Sequence, residues 1–390
     1  MKPYFATVRR DNPIIAIICG ILFVSFSFVY LYLFQGEVMR LVFDTCFQGR
    51  FSYSPFWGAV ILTLALCIIR WLFNRITRFR GSWLAFSYLP AYCILSFLTC
   101  VHPTEGIADG KAFSIGFSGI WIAVVAYVAI GCWYRKFLYR RSFGARNKLN
   151  ETLLPNLIVV IVGSYATGFV GNDNVLLHHE LAVARYIRVG EFEKALGVGQ
   201  KSLHNSHTLT ALRAFALSNI DSLGQRLFCY PQGYGADGLF LNEGQGDASS
   251  VSDENLQVYL GCELRHTDES AVEYLQRLSS EDSCASAKVI DYYLCALLLE
   301  KRLEEFYNVL LSSYADQSSP LPRHYQEALL VYGQLTGNEP ALFAKCGEDI
   351  KVRHRAFIDL QKEYQEPLHQ SNYTRRRFGD TYWWYYCYGE

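Results

Sequence analysis

No Asp, Glu, Lys or His lies near the middle of any long apolar run in this chain. Such side chains at mid-membrane depth cost about 2.5–3.5 kcal/mol on insertion scales and mark ion pathways and proton relays. Their absence speaks against an ion-coupled transporter and leaves open one that moves neutral or lipidic cargo. Three chemical signatures are missing as well: G-x-x-x-x-G-K, G-x-S-x-G and C-x-x-C. These gaps remove the phosphate-cradling loop, the nucleophile elbow, and the thioredoxin and zinc-knuckle readings. His178-His179-Glu180 begins like a zinc-protease H-E-x-x-H, but Val183 stands where the second His is required. His204 and His207 are two candidate ligands without a third. Gly233, Gly235 and Gly238 spell G-x-G-x-x-G, yet no strand pattern precedes them, so a dinucleotide would find no strand-to-helix turn. No catalytic residue, metal or cofactor is expected from these patterns.

What the chain has in quantity is apolar sequence. Of its 390 residues, 51% are hydrophobic and 15% aromatic. Before residue 172 they gather into windows of about twenty, a membrane signature. The runs lie near 13–34, 55–73, 83–101, 117–133 and 153–171. The last has no charged residue and reaches roughly 28 Å as a helix, close to a bilayer's hydrocarbon thickness. The first follows Lys2, Arg9 and Arg10, but it is long for a signal peptide and lacks a small-x-small cleavage site. It reads as an uncleaved crossing. Arg70 sits near the end of the second run, where it can snorkel to headgroups. Ser164 with Gly168, and Gly119 with Ala123, are small pairs four apart that suit close helix packing.

The charges between the runs alternate. The N-terminus, the second loop (Arg75, Arg78, Arg80) and the fourth (Arg135, Lys136, Arg140, Arg141, Arg146, Lys148) are basic. The first loop balances Arg40 and Arg50 with Glu37 and Asp44, and the third has Lys111 with Glu105 and Asp109. By the positive-inside rule this alternation predicts five crossings, the N-terminus inside and the C-terminal half outside the cytoplasm. The basic excess therefore reads as retention on one side of a membrane, and no nucleic-acid partner is expected. Membrane lipid is the first expected partner.

Residues 172–390 read as a water-soluble helical domain. Leu177, Leu181, Ala184 and Ile187 recur at helical spacing, Gly190 breaks the run, and Phe192, Ala195, Leu196 and Val198 start a second helix. A third is expected over about 208–222. Residues 229–252 read as a Gly-rich polar loop or linker running over the surface. Helices resume over 253–266, 269–278, 285–300, 303–314, 323–335 and 349–364. The expected fold class is all-α: a five-helix transmembrane region, 1–171, followed by an α-solenoid, 172–390. Cys19, Cys67, Cys93, Cys100 and Cys132 fall in or near apolar runs. Cys229, Cys262, Cys284, Cys295, Cys346 and Cys387 fall in the later half, where an extracytoplasmic site permits disulfides, but buried free thiols are the expectation.

Ala184, Tyr186, Gly190, Phe192, Ala195 and Leu196 make an A-x-Y-x-x-x-G-x-F-x-x-A-L pattern that resembles the turn of a tetratricopeptide repeat. His179 and Val183 depart from the repeat's usual Trp and small residue. Two short amphipathic helices joined by a Gly turn cannot bury their faces alone, so they stack on further pairs. The segments LPRHYQEALLVYGQL (321–335) and RFGDTYWWYYCY (377–388) resemble a bacterial family of uncharacterised inner-membrane proteins. That resemblance implies architecture and an inner-membrane context, which with the loop charges puts the later half in the periplasm, and it carries no assigned activity. The tail places Arg375 and Arg376 before Tyr382, Trp383, Trp384 and Tyr385, a candidate interaction surface or a cap over the end of the solenoid. The functional expectation is a membrane-anchored interaction or scaffold protein with a protein partner on its helical repeats. The alternative is an envelope enzyme or transporter for lipid-linked or neutral material, using His102, Glu105, Asp109 and Ser114.

Overall fold

The computed structural model describes residues 13–47, 53–77, 79, 81–99, 149–171, 174–241, 269–280, 286–314, 320–337, 346–364 and 366–389. The described residues contain helices and turns and no strand. The chain divides into two compact units, Met1–Asn174 and Val175–Glu390.

In the first unit, helix α1 (Pro13–Val29) runs into a π-helical turn, Tyr30–Phe34, and then α2 (Gly36–Phe47). Next come α3 (Pro55–Thr77), a 3-10 segment (Gly81–Tyr88), α4 (Leu89–Thr99) and α5 (Leu149–Val170). Three stretches are long and apolar enough to cross a membrane: Pro13–Phe34, Pro55–Thr77 and Leu153–Val170. The shorter apolar stretch Trp83–Thr99 is part 3-10 and part α. At about 2 Å and 1.5 Å of rise per residue in those two parts, it is roughly 28 Å long. The run expected over 117–133 lies outside the described residues. The first loop is itself helical through α2, which its charges did not announce.

This unit is apolar outside and mixed within. Ile17, Ile21, Trp57, Ile61, Ile68 and Phe169 are exposed, whereas Ser27, Thr63, Asn156 and Thr167 are buried. Its interior carries specific hydrogen bonds. Tyr30 Oη donates to Thr99 Oγ1 at 3.2 Å, and Gln35 Nε2 donates to Tyr30 Oη at 3.3 Å. The Ala85 N–H donates to Asn156 Oδ1 at 2.6 Å. The close approach of α5 is one residue away from the expected pair. A Cβ on Gly168 would meet nothing, whereas one on Gly163 would stand 2.7 Å from Tyr92 Cδ2. Ser164 instead shares a 2.9 Å hydrogen bond with Tyr92 Oη. The packed stripe is Asn156, Val160, Gly163 and Thr167, at helical spacing.

The second unit opens with α6 (Val175–Val189), α7 (Phe192–Gly197), α8 (His207–Asn219) and α9 (Leu223–Arg226). It continues through α10 (Ala271–Ser280), α11 (Ala287–Leu299), α12 (Leu303–Tyr314) and α13 (Arg323–Thr336). It ends with α14 (Glu348–Glu363), α15 (Pro367–Phe378) and α16 (Tyr382–Tyr388). The helix expected over 253–266 lies outside the described residues. Helix α11 is apolar nearly all round, with Tyr292 through Leu299 buried, and so forms the centre of the core.

Three joints in this unit share one geometry. Gly190, Asp221 and Lys301 have φ of 79°, 51° and 57°. At each, the next N–H reaches back five residues: Glu191 to Tyr186 O, Ser222 to Leu217 O, and Arg302 to Leu297 O, all at 2.9 Å. This is the left-handed helix end that satisfies the last carbonyls and turns the chain into the next helix. An apolar residue follows each joint and starts the new helix: Phe192, Leu223 and Leu303.

Residues 229–241 of the Gly-rich stretch are not a surface excursion, and 242–252 lie outside the described residues. Tyr230, Ala236, Leu239, Phe240 and Leu241 are buried. Two short 3-10 turns, Leu227–Cys229 and Gly235–Leu239, fold it onto the core. Its Gly235, at φ 55°, leaves room for Glu300, which accepts the Ala236 N–H at 2.9 Å and would stand 2.6 Å from a Cβ there.

Gly190 isolates the cost of the left-handed joint, because a Cβ there would meet no neighbour. Gly190→Ala should destabilise the protein by about 1–2 kcal/mol through backbone strain alone. Chemical denaturation of the full chain in detergent, followed by helical circular dichroism, checks this.

Candidate functional site

The two segments set apart in the sequence, 321–335 and 377–388, meet in the folded chain. Helix α13 starts after Pro322 without a side-chain cap, and its Arg323 N–H donates to Gln225 Oε1 at 3.0 Å. Arg323, His324 and Glu327 follow at spacings that share one helix face. Glu327 is almost fully buried and accepts three donors: Arg323 Nε at 2.8 Å, His324 Nδ1 at 2.8 Å, and the Tyr382 N–H at 2.7 Å. A carboxylate from α13 thus meets the first turn of α16, where a helix's positive end favours it.

Asp380, in the turn before α16, binds two guanidiniums. Arg323 Nη2 lies at 3.0 Å and Arg353 Nη2, from α14, at 2.7 Å. Burial alone would raise the Asp380 carboxyl, but the Arg353 and Arg323 contacts outweigh it and hold the group below the usual range. His354 is pushed down by burial, against a weaker upward pull from Glu327. Its ring lies 5.0 Å from that of Trp383. Phe228 seals the other side, with ring centroids 5.1 Å from His324, 5.1 Å from Tyr382 and 5.0 Å from Tyr385.

Beside this network is a cleft of about 480 Å³, lined by residues that include Arg323, Gln326, Asp349, Ile350, Arg353 and Trp383. The indole Nε1 of Trp383 is buried without an acceptor among the described residues. Single-sequence reasoning missed this cleft. Arg323, Glu327, Asp349, Arg353 and Asp380 belong to ordinary amphipathic patterns, and only the quoted segments drew attention to part of it.

The expected tail surface is corrected in part. Tyr382, Trp383 and Tyr385 are core residues, exposed by 0, 1 and 4%. The tail folds back as α15 and α16, and these aromatic rings fill the space between α13, α14 and Phe228. Arg375 and Arg376 remain exposed and Trp384 is half-buried. Arg375 lies over the Trp384 ring at 5.1 Å and Arg376 over Tyr373 at 5.8 Å.

The other sequence candidates are separated or occupied. Among the described residues no group of three or more His, Cys, Asp or Glu is placed to hold a metal ion. His179 is pushed down by burial and by Arg213, and Glu180 bonds Ser206. Arg213, buried over the Tyr230 ring, donates to Val198 O at 3.1 Å and Gly199 O at 3.2 Å and so closes the end of α7. Cys19, Cys67, Cys93, Cys229, Cys295, Cys346 and Cys387 are free thiols. Burial pushes Cys346 up to about 11, which keeps it protonated at neutral pH. Cys46, Cys100, Cys132, Cys262, Cys284, His102, Glu105, Asp109 and Ser114 fall outside the residues whose side chains are described.

Removing the carboxylate strands two buried donors, the His324 ring and the Tyr382 N–H, and takes one partner from Arg323, so Glu327→Ala should cost about 3–5 kcal/mol in equilibrium unfolding. Acid should weaken the unit for two reasons with the same sign. Asp380 and His354 both have folded pKa values below their ordinary ones, so the unfolded chain takes up protons first as pH falls. The His354 share is lost as pH drops through about 6.5 toward its folded value, and the Asp380 share only below about 4. Thermal melts between those limits should show falling stability for the natural chain and a flatter profile for His354→Leu.

No curated protein and no solved structure matches this chain. Residues 256–389, which carry both segments and all of the Glu327 and Asp380 contacts described above, match the model of a family of unknown function, DUF6057.

Proposed function

We propose that this protein is a membrane-anchored interaction protein of the bacterial inner membrane. Its first unit crosses five times, near residues 13–34, 55–73, 83–101, 117–133 and 153–171. Its N-terminus is inside, and residues 172–390 form a tetratricopeptide-like domain in the periplasm. The observation that carries the interaction reading is the repeated left-handed joint at Gly190, Asp221 and Lys301. A chain that reuses one helix–turn–helix joint builds stacked helix pairs, and stacked pairs make extended surfaces for a protein or peptide partner. The anchoring is supported by three helices of crossing length, whose large apolar side chains point outward while their polar ones turn in. The five-fold count and the orientation rest on the alternation of basic loops.

Crosslinking in intact cells, with affinity purification and mass spectrometry, should recover a reproducible protein partner that is lost when residues 172–390 are deleted. Recovery of lipid or glycan without a protein would instead favour the envelope-enzyme or transporter reading. A periplasmic reporter fused after Glu390 should be active, and activity only of a cytoplasmic reporter would refute the orientation.

A further inference from the structure

The cleft beside the Glu327 network is unevenly supplied with hydrogen-bonding groups. Apart from the Asp349 carboxylate, its side-chain acceptors are used. Glu327 takes three donors, Gln326 Oε1 takes the Gly347 N–H at 2.8 Å, and Gln225 Oε1 takes the Arg323 N–H. Its donors are not. Trp383 is 1% exposed, yet its Nε1–H has no acceptor among the described residues. Arg353 commits Nη2 to Asp380 and to Arg377 O, and among the described residues its other nitrogens make no hydrogen bond. Helix α14 begins at the cleft wall with Gly347 as its N-cap and no side-chain cap. A buried donor without an acceptor is costly, and acceptor atoms from outside would relieve it.

Charge narrows the ligand further. The five ionic side chains at the cleft are Arg323, Arg353, Glu327, Asp380 and Asp349, two positive and three negative. Asp349 is the member without an ion pair among the described residues. It stands four residues before Arg353 on α14, a spacing at which the two would ordinarily join. Arg353 is drawn to Asp380 instead, so Asp349 and Arg353 line the cleft as separate opposite charges. A bare anion would be attracted by Arg353 and opposed by Asp349. A ligand carrying both charges satisfies each. The volume, about 480 Å³, lies in the range of small-ligand pockets.

We propose that this cleft binds a small zwitterion with the chemistry of a free α-amino acid, its carboxylate on Arg353 and the Trp383 indole N–H and its ammonium on Asp349. The site lies wholly within the second unit, so it stands whichever side of a membrane that unit faces.

The test uses the full chain, purified in detergent, with calorimetric titration of each common L-amino acid in turn. Acetate and ethylamine serve as probes that carry one charge each. At least one amino acid should bind saturably with a dissociation constant of about 1 mM or tighter. Acetate and ethylamine should bind at least about tenfold more weakly. Asp349→Asn keeps the shape of the side chain and removes a charge that makes no ion pair among the described residues, so the variant should fold. It should bind the amino acid about tenfold more weakly and acetate no worse. Trp383→Phe keeps the ring and removes the N–H, and should weaken both the amino acid and acetate. Failure of every amino acid to bind the natural chain overturns the proposal. Amino-acid binding unchanged in both variants overturns it too, and acetate binding as tightly as the best amino acid reassigns the cleft to simple anions.

Discussion

The carboxylate of Glu327 holds the second unit's C-terminal part together. A buried charge is tolerated only when donors surround it. Here they come from three sources: a guanidinium and an imidazole on its own helix, and the backbone at the start of α16, fifty-five residues further on. The tail cannot leave without stranding that charge, and the charge cannot be removed without stranding the donors. Asp380 repeats the arrangement with opposite roles, a carboxylate on the tail held by Arg323 of α13 and Arg353 of α14. The two acids and two arginines link three helices through one connected set of contacts. Phe228 and Trp383 pack against its histidine and tyrosine members on either side.

The first unit obeys a different constraint. In a bilayer the hydrophobic effect gives no preference for apolar groups inside, so helix association rests on close approach and on hydrogen bonds between helices. That is the pattern of its interior. Small Gly163 lets α5 meet Tyr92 of α4, while Tyr30, Gln35, Thr99 and Thr167 share polar contacts. Its exposed isoleucines and phenylalanines would be anomalous on a surface facing water and are expected on one facing lipid.

Much of the helical order was legible in the sequence, and the reasons differ by element. The joint at Gly190 could be read because glycine is the residue that tolerates positive φ freely. Asp221 and Lys301 adopt the same conformation without a residue type that declares it, so the shared geometry of the joints was hidden. The run 83–101 was found by composition, but its 3-10 half was not, because hydropathy carries no information about hydrogen-bond register. The tail was the harder case. An aromatic run looks the same whether its rings await a partner or fill the chain's own core, and only the donors on Glu327 and the fit of Phe228 decide it. The site was least legible. Glu327 sits in an unremarkable amphipathic pattern, and its burial follows from contacts made across fifty residues or more.

The cleft and the tail share a wall, and that gives the site a physical consequence beyond affinity. Trp383 belongs both to the core that docks α16 and to the lining of the cleft. Arg353 likewise divides its guanidinium between Asp380 of the tail and the open space beside Asp349. A ligand held by these groups binds only the docked arrangement, since the undocked tail carries Trp383 away. Binding to one of two states stabilises that state by the ligand's differential affinity and by no more than that. Occupancy of the cleft is therefore linked to docking of the tail. A change that loosens the Asp380 contacts weakens ligand binding even where it leaves every lining side chain in place.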